Sequence, residues 1–183
     1  MLTIRRAHVT DAPQMAVLIN EAAERGRMLP KSLSYLYENI REFHVAIVSN
    51  DDGSDRVVGV CGLSIIWANL SEVVSLVVDS SQQGQGLGAR LTQTVLDEAK
   101  ELGVRKVMSL TYEQRFFERL GFTVVDRKDL PLKVWADCIR CPKHDACDEI
   151  AMVYVNESVP EIEQAKAPVP APSEYYVPVI RRS

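Results

Sequence analysis

Gln83-Gly84-Gln85-Gly86-Leu87-Gly88 places three glycines at alternate positions just before a helical pattern. Lacking Cβ atoms, such positions let the main chain turn tightly and let a ligand come close. The helix that follows leaves its first N–H groups without intrahelical partners, and its dipole favours an anion there. A pyrophosphate fits that site. Glycines alone are equally compatible with a tight strand-to-helix turn. Two phosphate loops are excluded by their surroundings. The nucleoside triphosphatase loop needs Lys-Ser/Thr after its last glycine, and Ala89-Arg90 stands there. The dinucleotide fingerprint belongs to a first strand–helix–strand unit, and this loop lies mid-chain after a hairpin.

The elements that must carry the loop follow from periodicity. Thr3 to Ala7 reads as a first strand. Asp11 reads as an N-cap with Pro13 in the first helical turn, followed by Met15, Leu18, Ile19 and Ala22 at helical spacing to Gly26. Ser32 to Arg41 predicts a second helix with Leu33, Leu36, Tyr37 and Ile40 on one face. His44–Val48 and Arg56–Ile66 predict a hairpin across a turn at 50–53. Val73 to Val78 is almost continuously apolar, as in a strand covered on both faces. The glycine loop then opens a helix to about Leu102, with Leu87, Leu91, Val95 and Ala99 at every fourth position. Val104–Leu110, a short helix Glu113–Leu120 stopped by Gly121, then Phe122–Val125 and Ile150–Val155 complete the pattern. A cysteine-bearing insertion occupies 130–148.

The 183 residues are 46% hydrophobic and 25% charged, the composition of an ordinary globular protein with room for a real core. A net charge of −4 gives no basic footprint for nucleic acid. Neither a signal-peptide pattern nor an apolar run of membrane-spanning length is evident, so a cytoplasmic location and reduced thiols are expected. Residues 1–156 read as one domain. Residues 157–183 read as a Pro/Ala-rich extended tail.

The glycine loop resembles the Gln/Arg-x-x-Gly-x-Gly/Ala motif of GNAT acetyltransferases. Phe116-Phe117-Glu118-Arg119-Leu120-Gly121-Phe122 is similar to that family's later helix-Gly-Phe signature, and the order of elements agrees over about residues 1–155. The resemblance implies an α+β (α/β) fold with a central mixed, twisted sheet flanked by helices. It implies acetyl-CoA as cosubstrate. The main chain of Leu76, Val77 and Val78 would hold the acetyl carbonyl and pantetheine arm, because a splayed strand exposes N–H groups to the thioester oxygen. Gln83, Gly84, Gln85, Gly86, Leu87, Gly88, Ala89 and Arg90 would take the pyrophosphate.

Leu29-Pro30-Lys31-Ser32-Leu33, Tyr37-Glu38-Asn39-Ile40-Arg41-Glu42-Phe43 and Leu130-Pro131-Leu132-Lys133-Val134-Trp135 resemble the short bacterial amino-acid N-acetyltransferases. That group is similar to the acetyltransferase domain of N-acetylglutamate synthase, which begins arginine biosynthesis. The longer synthases also carry an amino-acid-kinase-like domain, which is not expected in 183 residues. The implied acceptor is L-glutamate or L-glutamine. Lys31 and Ser32 match the position of a carboxylate-binding basic residue and its neighbour. Arg41 and Lys133 are further candidate cations, with a solvated surface charge as the plain alternative.

Glu72 corresponds to a glutamate proposed as general base in the synthases. An unperturbed glutamate titrates near about 4.3, so burial or a relaying water would have to assist it. Many GNAT members place a proton-donating tyrosine where Phe117 stands, and phenylalanine has no proton to give. Thr111 or Tyr112 could protonate the leaving thiolate instead, the alternative being a thiolate that leaves without a protein acid.

Cys138, Cys141, His144 and Cys147 could together hold zinc, but reduced thiols packed in the insertion are the favoured reading, and no metal is expected. Cys61 is expected in the core, and His8 and His44 as structural or surface residues. Trp67 and Trp135 are expected in the core or beside the substrate. Competing readings are acetylation of another small amine or a protein amine, and a non-catalytic acetyl-CoA-binding module. A homodimer is what the family resemblance implies.

Overall fold

The computed structural model describes residues 2–49, 53–130 and 148–162. Its strands are β1 (Leu2–Arg6), β2 (Phe43–Ser49), β3 (Asp55–Trp67), β4 (Leu70–Val78), β5 (Lys106–Thr111), β6 (Thr123–Val124) and β7 (Ile150–Val155). Its α-helices are α1 (Ala12–Glu24), α2 (Leu33–Glu38), α3 (Leu87–Glu101) and α4 (Gln114–Glu118). The strands form one sheet in the order β1-β2-β3-β4-β5-β7-β6. Every neighbouring pair is antiparallel except β4 and β5. A parallel pair requires a crossover, and α3 lies in the one that joins these strands. This is the mixed sheet with flanking helices that the family resemblance implies.

Alternation along the strands sorts the core into layers. On one face Val45, Ile47, Val60 and Val77 pack with Met15, Leu18 and Ile19 of α1 and Leu36 of α2. On the other, Ala46, Val58, Cys61 and Val73 meet Leu87, Leu91, Val95 and Ala99 of α3. The four α3 positions predicted from spacing are therefore its buried stripe.

Several expectations need correction. The second helix ends at Glu38, and a 3-10 turn at Ile40–Glu42 replaces its last part. Of its four apolar positions only Leu36 is buried, while Leu33 and Tyr37 are 41% and 45% exposed. A helix this short offers the core a single anchoring position. Asp11 does flank α1, with Pro13 in the first turn, yet its carboxylate does not cap α1 and instead closes a capping box on the 3-10 turn at Val9–Asp11. It takes a bidentate pair from Arg5, at 2.6 and 3.0 Å, and the His8 N–H at 2.7 Å. Arg5 and the His8 N–H together occupy both carboxylate oxygens, which turns them away from the first N–H groups of α1. Trp67 is 55% exposed at the end of β3, so it is not in the core. Cys61 is fully buried, His44 is buried and His8 is exposed. Lys133, Trp135, Cys138, Cys141, His144, Cys147 and residues 163–183 lie outside the described residues.

Candidate active site

The site begins where β4 loses one neighbour. This strand pairs with β3 from Leu70 to Val78, but with β5 only at Leu70, Ser71 and Glu72. Past Glu72 the two parallel strands separate. Residues 73–78 then have a β-partner on one side only. The second feature is an uneven register with β3. Val74 pairs with Gly62 and Val77 with Val60, so Ser75 and Leu76 together oppose Cys61 alone. This is a β-bulge, a feature that re-aims the groups around it. Ser75 adopts φ 52°, alone among described non-glycine residues in having positive φ. Such a conformation persists only where surrounding structure holds it.

The separation opens a cleft of about 980 Å³. Lys31 and Glu72 line it, as do Leu76, Val77 and Val78 of the bulged strand. Thr111 and Tyr112 reach it from the end of β5, and Gln83, Gly84 and Gly88 from the glycine loop. An adjoining groove of about 490 Å³ is lined by Gly84, Gly86, Leu87, Gly88 and Ala89, with Phe116, Arg119 and Leu120 opposite. Gly84 and Gly86 have φ 74° and 77°, which explains glycine at both. By helix geometry the first N–H groups of α3 have no intrahelical acceptor, so the groove ends on a donor-rich helix start. A pyrophosphate linked to an extended arm matches this joined cleft and groove.

Other expected residues lie elsewhere. Ser32 is the N-cap of α2, its hydroxyl accepting from the Tyr35 N–H at 3.1 Å, and it does not line the cleft. Arg41 sits on the 3-10 turn, where its carbonyl accepts from Arg6 at 3.1 Å, also away from the cleft. Gln85 and Arg90 line neither cleft nor groove. The Gln83 carboxamide donates to the Val78 carbonyl at 2.9 Å, bracing the loop against the end of β4.

The hydroxyl chemistry at the end of β5 is well defined. Thr111 is buried, and its Oγ1 accepts the Glu113 N–H at 2.9 Å. A hydroxyl that accepts one bond still has its own proton to donate. Phe117 is only 4% exposed and packs edge-on against Phe116 and Phe122, with ring centroids 5.1 and 5.0 Å away. It is a wall of the core.

Sequence reasoning missed four cations that line the cleft: Arg25, Arg27, Arg119 and Arg127. Arg119 also lines the groove, inside the helix-Gly-Phe segment, and was the easiest to find. Arg25 and Arg27 flank Gly26, whose φ of 69° turns the chain after α1 toward the cleft. Arg27 pairs with Glu113 across the cleft mouth at 3.0 Å. Both side chains are largely exposed, so this bridge adds little stability. Glu42, outside the cleft lining, lies within electrostatic reach of Lys31. Burial raises its pKa, while a Ser64 hydrogen bond and the Lys31 charge partly oppose the rise.

Residues 15–122 match the profile of the Acetyltransferase (GNAT) family, to which this chain belongs. It is an acyltransferase that uses acetyl-CoA. The chain is 35% identical, over 150 residues, to an uncharacterized N-acetyltransferase of Chlorobaculum tepidum, covering 82% of this chain and 94% of that one. It is 30% identical over 156 residues to the amino-acid acetyltransferase of Mycobacterium tuberculosis, covering 85% and 88%. In structure it is similar to N-acetylglutamate synthase from Neisseria gonorrhoeae complexed with coenzyme A and N-acetyl-glutamate. The TM-score is 0.73 at 26% identity, over 85% of this chain and 35% of that one. No helix among the described residues is long and apolar enough to cross a membrane.

Proposed function

We propose that this enzyme moves the acetyl group of acetyl-CoA to the α-amino group of L-glutamate or L-glutamine, the first step of arginine biosynthesis. One observation carries the reading: Lys31, Glu72 and the bulged main chain of β4 line a single cleft. An α-amino acid brings a carboxylate and an amine at fixed separation. Lys31 binds the carboxylate, and Glu72, at the point where β4 and β5 part, takes a proton from the ammonium directly or through water. The similarity to amino-acid acetyltransferases supports this choice of acceptor.

The neutral amine attacks the thioester carbonyl. Main-chain N–H groups of Leu76, Val77 and Val78 stabilise the oxyanion that forms, and the glycine loop with Arg119 holds the coenzyme's pyrophosphate. The C–S bond then breaks: the thiolate takes a proton from Thr111 or Tyr112, and the nitrogen sheds its second proton to water, which returns one to the hydroxyl. Thr111 has the better-defined geometry, because its Oγ1 is already oriented by the Glu113 N–H.

The test is release of free thiol from acetyl-CoA with each of the twenty amino acids. The reading expects a maximum with glutamate or glutamine. Turnover of polyamines or peptide N-termini, with none on any free amino acid, would overturn it.

A further inference from the structure

Lys31 is a long, flexible side chain on an irregular segment between α1 and α2. Alone, such a residue spends little time in one orientation. Its main chain here is held at both polar atoms by one residue. Asn20 on α1 accepts the Lys31 N–H at 2.9 Å and donates from its carboxamide to the Lys31 carbonyl at 3.0 Å. These two bonds mimic the exchange of paired strands, between a helix side chain and a loop residue eleven positions away. The Lys31 ammonium lies 4.2 Å from the Tyr35 ring centroid on α2, a cation–π distance. The segment is thereby tied to α1 at its backbone and to α2 at its charged end.

We infer that Asn20 is a positioning residue for the acceptor site: its carboxamide clamps the Lys31 main chain so that the ammonium is presented at the cleft. The inference rests on the proposed role of Lys31 toward an amino-acid carboxylate. Asn20 itself is absent from the cleft lining, so it acts through Lys31. Asn20 is half-buried on α1, next to the fully buried Ile19. Loss of one or two neutral hydrogen bonds lets the lysine sample other directions, and the acceptor's KM rises while the coenzyme site, on β4 and α3, is untouched.

The experiment is a double-mutant cycle on the full chain with L-glutamate and L-glutamine as probe acceptors. Asn20→Ala, Lys31→Met and the double variant are compared for KM of the acceptor, KM of acetyl-CoA, kcat and melting temperature. Asn20→Asp keeps the acceptor for the Lys31 N–H and loses the donor, so it serves where alanine disturbs folding. The expected result is an acceptor KM raised about tenfold by Asn20→Ala, with acetyl-CoA KM unchanged, a raised acceptor KM for Asn20→Asp as well, whose second carboxylate oxygen repels the Lys31 carbonyl, and under twofold further change when Asn20→Ala is added to Lys31→Met. An Asn20→Ala effect that persists in the Lys31→Met background, or that moves both KM values together, overturns the inference alone. An unchanged acceptor KM in Lys31→Met, or no turnover of either probe by the parent enzyme, overturns the underlying reading of Lys31 as well.

Discussion

Gly62 lies so close to Val74 that a β-carbon on the glycine would stand 2.7 Å from Val74 Cγ2 and 2.9 Å from the Phe43 ring. The two residues are register partners on β3 and β4, immediately before the bulge at Ser75 and Leu76. Phe43 is fully buried and cannot swing aside. Gly62→Ala therefore forces the strands apart where the bulge begins. Overpacking of this kind costs about 1–3 kcal/mol. The expected result is a lower urea midpoint together with weaker acetyl-CoA binding by calorimetry. Lower stability with unchanged coenzyme affinity would separate the bulge from the coenzyme site.

The end of β5 offers two hydroxyls to the leaving thiolate, and their environments differ. Thr111 is buried with its oxygen fixed by the Glu113 N–H, whereas Tyr112 is half-buried on the cleft wall. Thr111→Val should lower kcat about 10- to 100-fold and leave acetyl-CoA binding intact, in line with loss of a general acid. Tyr112→Phe should also lower turnover without abolishing coenzyme binding if Tyr112 supplies the proton. Steady-state kinetics on the two variants assign the proton, and an unchanged kcat removes the residue concerned from the mechanism.

Asp11 is predicted to anchor the first turn of the fold to β1. Burial by itself raises its pKa, but the Arg5 pair and the His8 N–H outweigh burial and hold it below the usual carboxylate range. A depressed carboxylate contributes stability above its unfolded pKa of about 3.9, and that contribution is lost as pH falls through the lower folded value. Asp11→Asn should cost about 2 kcal/mol at pH 7 and show a shallower loss of stability in acid. Urea melts at pH 7 and across the acid range check both.

His44 gives a pH dependence of its own. Its Nδ1 is 3.4 Å from the Glu98 carboxylate, yet burial lowers its pKa more than that charge raises it. The imidazole is therefore neutral at pH 7, and Arg6, 2.7 Å from Glu98, carries the ion pair. A lowered histidine pKa means that stability is present above about pH 6.5 and is lost as pH falls through the folded value. His44→Gln should flatten the loss of stability as pH falls below about 6.5. An equally steep slope in that variant would place the titration elsewhere.

Much of the fold was legible because its signals are local. Leu87, Leu91, Val95 and Ala99 mark the buried stripe of α3 by spacing alone, and Gly84 and Gly86 mark the left-handed turn before it. The bulge at Ser75 was not legible, because it exists only through the offset between Val60 and Gly62 on another strand. Asp11 looks like a helix cap until Arg5 of β1 is placed beside it. Lys31 was found through resemblance and Ser32 came with it, but Ser32 spends its hydroxyl capping α2. Arg27 reaches the cleft from a loop and Arg127 from a 3-10 turn at Arg127–Asp129, segments too short for periodicity to announce a direction.

The central claim is that a carboxylate beside the reacting amine is what the cleft recognises. Its most direct measurement is kcat/KM for L-glutamine against 4-aminobutanamide, the same molecule without its α-carboxylate, at saturating acetyl-CoA. A charge-assisted bond from Lys31 predicts a preference for glutamine of at least about tenfold, which Lys31→Met abolishes. Equal or faster acetylation of the decarboxylated amine would contradict the account.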